Sequence, residues 1–347
     1  MRLMICAPDI FTGDAVGNHC LGLARVAERL GFVVEVYAQR FDDLSRVADL
    51  NQLFERITGD DLLLVSYSIV DPYLDRLRAL PCKKICYFHG VTPAELLRQF
   101  EPVTADLCEA SVLQFGDLSS FESIVANSAF TATSLPSEIS SPIRVIPPVF
   151  ADMPAFQTPK ITLETAAQTK NILTVGRVVP HKRIEDAIDI VAAIRESGVD
   201  SSLSVVGSAT NLQYAQFLVA RAQERGISQH FTLAGAVDNA TLINYFRQAS
   251  ALISVSAHEG FCVPILEAMH MGLACFAREG TAASEVCAPS AVLPIDNRAA
   301  AQLITHFLAD RDRLESLITE GSVRAADFLQ STCDAVWKDI LVSTSVH

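Results

Sequence analysis

The sequence predicts an α/β protein of two lobes, each built on a parallel sheet with helices on both faces. Three observations carry that prediction. Short apolar runs alternate with helical patterns from end to end, which implies parallel strands joined by helical crossovers. The alternation is interrupted once, near the middle, and then restarts. The length of 347 residues suits two domains at roughly 150 residues each.

Residues 2–7 (RLMICA) form the first compact apolar run and read as a strand. Cys20, Leu23, Ala27 and Leu30 then recur at three- and four-residue spacing, the stripe of a helix that Gly31 ends. FVVEVYA, DDLLLVSYS, KKICYFHG, SIVANS and IRVIPP complete the strands of the first half. Residues 149–169 carry two prolines and no long apolar strand, and read as a linker. The pattern resumes with NILTVGR, a helix over 184–197, SLSVVG, a helix over 212–225, FTLAG, a helix near 241–248, ALISVS, a helix through 265–270, and LACFA. The stretch from about 298 to 343 is helical, with Leu303, Ile304, Phe307, Leu308, Leu314 and Leu317 as core candidates. The domains expected are 1–150 and 151–330, with 331–347 a terminal helix packing back on the first.

Half of the residues are hydrophobic, enough for sizeable cores and against disorder. The longest apolar runs, such as 62–65 and 251–255, fall far short of the ~20 residues that a membrane span needs. The N-terminus reads as a first strand and not as a signal peptide, so a cytoplasmic location is expected. Nine cysteines are scattered and odd in number, and Cys82 and Cys86 lack a second pair at zinc-site spacing. They read as small buried thiols in a reducing compartment. A formal net charge of −13 argues against a nucleic-acid partner, which needs a basic face.

In open parallel sheets ligands bind beyond the C-terminal ends of the strands, so the residues after each strand carry the functional reading. After NILTV come Gly176 and Arg177, then Pro180, His181, Lys182 and Arg183 leading into a helix. Arginine offers a planar fork and lysine a compact charge, a set suited to a diphosphate at a helix N-terminus. After ALISVS come His258, Glu259, Gly260, Phe261, Cys262, Val263 and Pro264, then Glu267. Pro264 suits the first helical position, which places Glu267 on the first turn. Gly260 permits close backbone approach, so amides of 260–263 can line an anion site. The two carboxylates can accept hydroxyls of a sugar and of a ribose. Plainer readings stand beside these: a solvated turn for the cations, and a helix-dipole charge for Glu267.

This constellation resembles the retaining glycosyltransferases of family four, which have the GT-B fold of two Rossmann-like domains facing each other across a cleft. The resemblance rests on Gly176-Arg177 with Lys182, on Glu259-Gly260-Phe261 with Pro264 and Glu267-Ala268-Met269, and on Gly272. It covers the second half densely. In the first half, Tyr87-Phe88-His89-Gly90-Val91-Thr92-Pro93-Ala94-Glu95 and Ala126-Asn127-Ser128 are similar to segments of the same family. Residues 13–17 sit where such enzymes keep a glycine-bearing loop, with Gly17 expected at the donor.

The resemblance implies transfer of a hexose, with a lean to mannose, from a nucleotide-diphosphate sugar to a glycan or lipid-linked acceptor, as in surface polysaccharide synthesis. Arg177 and Lys182 would bind the diphosphate, Glu259 the sugar hydroxyls and Glu267 the ribose. His89 would lie near the sugar, backbone around Gly235 and Val237 near the base, and Gly207 along the donor pocket. No metal and no cofactor are implied, since cations and the amides of Gly260, Phe261, Cys262 and Val263 would neutralise the leaving diphosphate. Asp42-Asp43 and Asp60-Asp61 make no convincing metal motif. GDP-mannose is favoured over a UDP-sugar as donor. An epimerase or phosphorylase of the same architecture, or a non-catalytic nucleotide-sugar binder, remains the alternative. Arg76, Arg78, Lys83 and Lys84, with residues 94–115 nearby, suggest a basic edge that could meet a lipid-diphosphate acceptor at the inner face of the membrane.

Overall fold

The computed structural model describes residues 1–11, 13–42, 46–149, 154–161, 169–328 and 330–346. These fall into two compact units. The first comprises Met1–Val91, Asp106–Asp152 and Phe328–His347; the second comprises Thr92–Ala105 and Met153–Asp327. Most of the stretch expected as a linker lies outside the described residues. Residues 92–105, which the sequence alone places in the first half, group with the second unit.

The first unit runs β1 (Arg2–Ile10), α1 (Ala15–Arg29), β2 (Val33–Phe41), β3 (Val47–Asp49), α2 (Leu50–Arg56), β4 (Leu62–Tyr67), α3 (Leu74–Arg78), β5 (Lys83–Phe88), α4 (Pro102–Leu113), β6 (Ser123–Ala126), α5 (Ala129–Ala132) and β7 (Ile143–Val145). Its sheet has the order β3-β2-β1-β4-β5-β6-β7, and the pairings are parallel, as between Cys6 and Tyr37 or Ser66 and Tyr87. The first four residues of α4 group with the second unit. Strands covered on both faces read as continuous apolar runs, and every residue of β4 is buried. Asp14 caps α1 by accepting from the Val16 amide at 3.0 Å. The terminal helix belongs to this unit: Trp337, Ile340 and Leu341 join Leu3, Ile5, Leu23, Leu64, Tyr87 and Val125 in one core.

The second unit contains β8 (Lys170–Val175), α6 (Ile184–Glu196), β9 (Ser201–Val206), α7 (Leu212–Glu224), β10 (Phe231–Gly235), α8 (Asn239–Gln248), β11 (Ala251–Ser254), α9 (Val263–Met271), β12 (Cys275–Arg278), α10 (Ala282–Val286), β13 (Val292–Leu293), α11 (Asn297–Ala309) and α12 (Arg311–Ala326). The chain ends with α13 (Gln330–Val346), which packs on α1. The second sheet has the order β10-β9-β8-β11-β12-β13. The chain therefore builds outward from β8 in one direction, then returns to pair β11 on its other side, the doubly wound arrangement. The helical tail expected over 298–343 is three helices. Ile304, Leu308 and Leu317 are buried, while Leu303, Phe307 and Leu314 are half-buried.

Candidate active site

The reversal of strand order in the second sheet lies between β8 and β11, paired through Ile172–Ala251 and Leu173–Leu252. Such a switch point opens a crevice beyond the strand ends, because the two crossovers depart to opposite faces. Gly176, Arg177 and Lys182 follow β8, and Ser256 to Cys262 follow β11. Topology alone brings together two segments some eighty residues apart in sequence. The main chain joins them, as the Ala257 amide donates to the His181 carbonyl at 2.8 Å.

Side chains continue that junction. Lys182 Nζ donates to Glu259 Oε1 at 2.7 Å, and Ser256 Oγ donates to the same oxygen at 2.7 Å. Ser254 Oγ lies 3.3 Å from Ser256 Oγ and accepts from Cys262 Sγ at 3.5 Å. One hydrogen-bonded chain thus runs from Cys262 to Lys182. The Lys182 and Glu259 side chains are 18% and 8% exposed. Burial pushes the Glu259 carboxyl up, but Lys182 and the Ser256 hydroxyl together hold it below its ordinary range. Below the corner, Asp186 accepts from Arg183 at 3.0 Å, from Arg278 at 2.5 Å and from Asn297 at 3.2 Å. Burial raises the Asp186 carboxyl and these three donors bring it below its usual range.

Glu267 is a different case. It is 4% exposed, and no hydrogen bond reaches its carboxylate among the described residues. Burial pushes its carboxyl up to about 7. The helix begins at Val263, so Pro264 is the second helical residue and not the first, and Glu267 opens the second turn instead of closing the first. A helix-dipole role is correspondingly weak, since that effect fades within one turn. Cys262 precedes the helix with φ of 76°, a left-handed conformation. Phe261 and Cys262 are buried, and Gly260 and Val263 are half-buried. The first amides of an α-helix have no intrahelical acceptor, so the Val263 end of α9 is a place for donors to meet a ligand.

Three neighbouring strands of this sheet end or turn at glycine. A side chain on Gly207 would place its Cβ 1.9 Å from the Gly176 carbonyl oxygen, so only glycine fits there. A Cβ at Gly176 would instead meet Lys182 Nζ at 3.7 Å, which places the lysine over this corner. Gly207 donates to the Gly235 carbonyl at 2.9 Å. Val237 follows as a half-buried residue before α8, and Arg177 is exposed, with no ion pair among the described residues.

In the first unit, His89 follows β5. Its Nε2 lies 2.7 Å from Ser66 Oγ, its carbonyl accepts from Asn127 Nδ2 at 3.1 Å, and its ring meets Tyr87 edge-on at 4.8 Å. Burial pushes its imidazole down to about 3, so it is neutral at physiological pH. Gly17 lies in the first turn of α1, where a Cβ would fall 2.2 Å from the Phe11 carbonyl oxygen. That glycine is required by the packing of its own loop. Gly13, with φ of 80° and open space around it, is the glycine a ligand could approach.

Residues 160–324 match the model of the family described as glycosyl transferases group 1. Among curated proteins, the GDP-mannose:cellobiosyl-diphosphopolyprenol alpha-mannosyltransferase of Komagataeibacter xylinus is 34% identical over 112 residues, which is 32% of this chain and 28% of that protein. Among solved structures, the sucrose-phosphate synthase of Thermosynechococcus elongatus has a TM-score of 0.77 at 16% identity, over 99% of both chains. Anabaena HepE, in complex with UDP and glucose, has a TM-score of 0.74 at 16% identity, over 99% of this chain and 100% of that one. At such identities the likeness establishes the fold, the GT-B architecture of two parallel-sheet Rossmann-like domains.

Within the matched stretch, the sequence reading assigns no role to Ser254, Ser256 or His181. A serine three positions before Glu259, at the end of a buried strand, was the available signal for Ser256. The basic edge read from the first half is corrected at one residue. Lys84 is buried, with Nζ donating to the Leu80 and Cys82 carbonyls at 3.0 and 2.8 Å. Arg78 pairs with Asp75 and Asp117, and Arg76 stacks on Phe54 at 3.8 Å. Arg76 and Arg78 remain exposed beside these partners, so the structure takes only Lys84 out of that edge. Asp61, one of the acids weighed for a metal, is taken by Arg2 at 2.6 Å, and Asp43 lies outside the described residues. Among the described residues no helix is long and apolar enough to cross a membrane.

Proposed function

We propose that this chain is a retaining, metal-independent hexosyltransferase whose second unit holds the nucleotide-sugar donor. The observation that carries this reading is the junction of Lys182, Ser256 and Glu259 over Gly176 at the β8–β11 switch point. A lysine and a carboxylate held together there suit a ligand with a diphosphate on one side and hydroxyls on the other. Arg177 and Lys182 bind the diphosphate, with amides of 260–263 beside them. Glu259 accepts from sugar hydroxyls, and Glu267, buried without a partner among the described residues, accepts from those of the ribose. Val237 and Gly235 lie toward the base.

The donor's C1–O bond to the diphosphate breaks as the acceptor oxygen bonds to C1 on the same face. The acceptor proton passes to the leaving phosphate oxygen. No side chain serves as nucleophile, and the cations and amides stabilise the leaving charge. His89, neutral and fixed by Ser66, is assigned to the sugar side of the reaction. The donor proposed is GDP-mannose, supported by the mannosyltransferase relative, and the acceptor is a glycan or a lipid-linked diphosphate sugar.

A thermal-shift screen across GDP-, UDP-, TDP- and ADP-sugars tests the donor. A ligand at 100 times its dissociation constant stabilises by ~2.7 kcal/mol. A shift with UDP-sugars alone refutes the mannose assignment. Lys182→Ala is expected to lose all transfer, and full activity in that variant overturns the phosphate assignment.

A further inference from the structure

Both donors to Glu259 converge on Oε1, Lys182 Nζ and Ser256 Oγ each at 2.7 Å. Oε2 receives no hydrogen bond among the described residues. The carboxylate therefore has one oxygen fixed beside the lysine and one open. The pair is mostly shielded from solvent, so its charges act on a bound ligand with little screening. Lys182, in turn, is already partly neutralised before any phosphate arrives. Arg177 has no such partner among the described residues.

An intact sugar nucleotide differs from the nucleoside diphosphate left after transfer at one place. In the donor, the terminal phosphate oxygen is bonded to the sugar, and the sugar hydroxyls are hydrogen-bond donors. In the product that oxygen bears an added negative charge, and the hydroxyls are gone. A fixed carboxylate meets these two ligands with opposite sign. The donor gives it hydroxyls to accept. The product leaves it facing a bare anion, a like-charge contact that a shielded site penalises. A site built to bond hydroxyls also rejects an analogue that lacks them, because its own polar group is left unpaired.

We propose that Glu259 makes this site select the intact nucleotide-sugar against the spent nucleoside diphosphate, and so drives product release. The proposal rests on the donor-site reading above. Arg177 meets the diphosphate in either ligand and supplies affinity without discrimination. Lys182 alone would favour the product, which has the greater charge. Its pairing with Glu259 reverses that order.

The test is calorimetry on the intact chain, reading dissociation constants for GDP and GDP-mannose, and for UDP and UDP-glucose. Wild type is expected to bind one sugar nucleotide at least as tightly as its diphosphate. Glu259→Gln removes the charge, keeps the shape and can still accept from Ser256. It is expected to shift the ratio toward the diphosphate by about tenfold or more. Glu259→Asp keeps the charge and is expected to keep the wild-type preference. A ratio unmoved in Glu259→Gln, with binding retained, overturns the proposal alone. So does a preference for the diphosphate in Glu259→Asp, which decides the matter if the glutamine variant does not fold. Wild-type protein that binds none of the four ligands overturns the donor-site reading itself.

Discussion

Replacing Glu267 by glutamine is expected to make the protein more stable above neutral pH and no more stable below pH 4.5. The carboxylate is 4% exposed on α9 and lacks a hydrogen-bond partner among the described residues. Burial raises its carboxyl from an ordinary 4.5 to about 7. Between those values the folded chain holds a proton that the unfolded chain has lost. The stability tied to that proton is complete below 4.5 and is lost as pH rises through 7. At about 1.4 kcal/mol per tenfold change, the full difference is about 3 kcal/mol. Glutamine is neutral throughout, so Glu267→Gln should match wild type near pH 4.5 and exceed it at pH 8. For a domain of this size that is roughly 5–10 °C in Tm. Melting of both proteins at the two pH values measures it. A Tm difference that does not change with pH, or a variant less stable at pH 8, refutes the reasoning. A sugar nucleotide should reverse the order, because the wild-type carboxylate then gains hydroxyls to accept. Stability given up at a ligand site is a common consequence of building one.

Two other substitutions test the corner at the strand ends. Gly207→Ala would bring a Cβ to within 1.9 Å of the Gly176 carbonyl oxygen at a φ of 152°. Backbone cannot yield as a side-chain tip can, so a loss of about 2 kcal/mol or more is expected, with loss of donor binding. Urea unfolding checks it, and wild-type stability would show that the corner is not as tight as described. Cys262→Gly relieves a left-handed conformation at φ of 76° that costs a non-glycine residue about 1 kcal/mol. Its buried thiol meets Ser254 at 3.5 Å, and losing that burial and contact offsets the relief, so little net change in Tm is expected. A fall of several degrees would show that the thiol contributes more than the strain costs.

Much of this molecule can be read from residue order because its central strands, such as β1, β4 and β5, are buried on both faces. RLMICA, LLLVSY and KKICYF stand out as continuous apolar runs for that reason. Lys182 and Glu259 could be assigned to one crevice because doubly wound topology places the first and fourth strands side by side. Their bond to each other could not be read. The sequence assigns each of them to a ligand, and only the fold shows that they also meet one another at 2.7 Å. β3 and α2 were missed because three residues of strand and seven of helix at a sheet edge are too short for a periodic pattern. Lys84 misled for another reason. Lysine is a surface residue by composition, yet its chain runs along buried surface and its amine ends on two carbonyls of the preceding turn. A count of basic residues cannot distinguish that arrangement from a free edge.

Among the described residues, only Arg183 and Cys262 are non-glycine residues with positive φ, at 52° and 76°. Each is the residue immediately before a helix: Arg183 before α6 and Cys262 before α9. Those are the helices that follow β8 and β11, on either side of the switch point. Conformations of this kind persist only where the surroundings over-determine them, and here the restraints are visible. Arg183 is tied to Asp186, which Arg278 and Asn297 also bind. Cys262 is tied to Ser254 at the end of its own strand. The buried polar network beneath the corner therefore has a task beyond its own satisfaction. It holds two helix N-termini at entry angles the chain would otherwise avoid, and it fixes where their first amides lie.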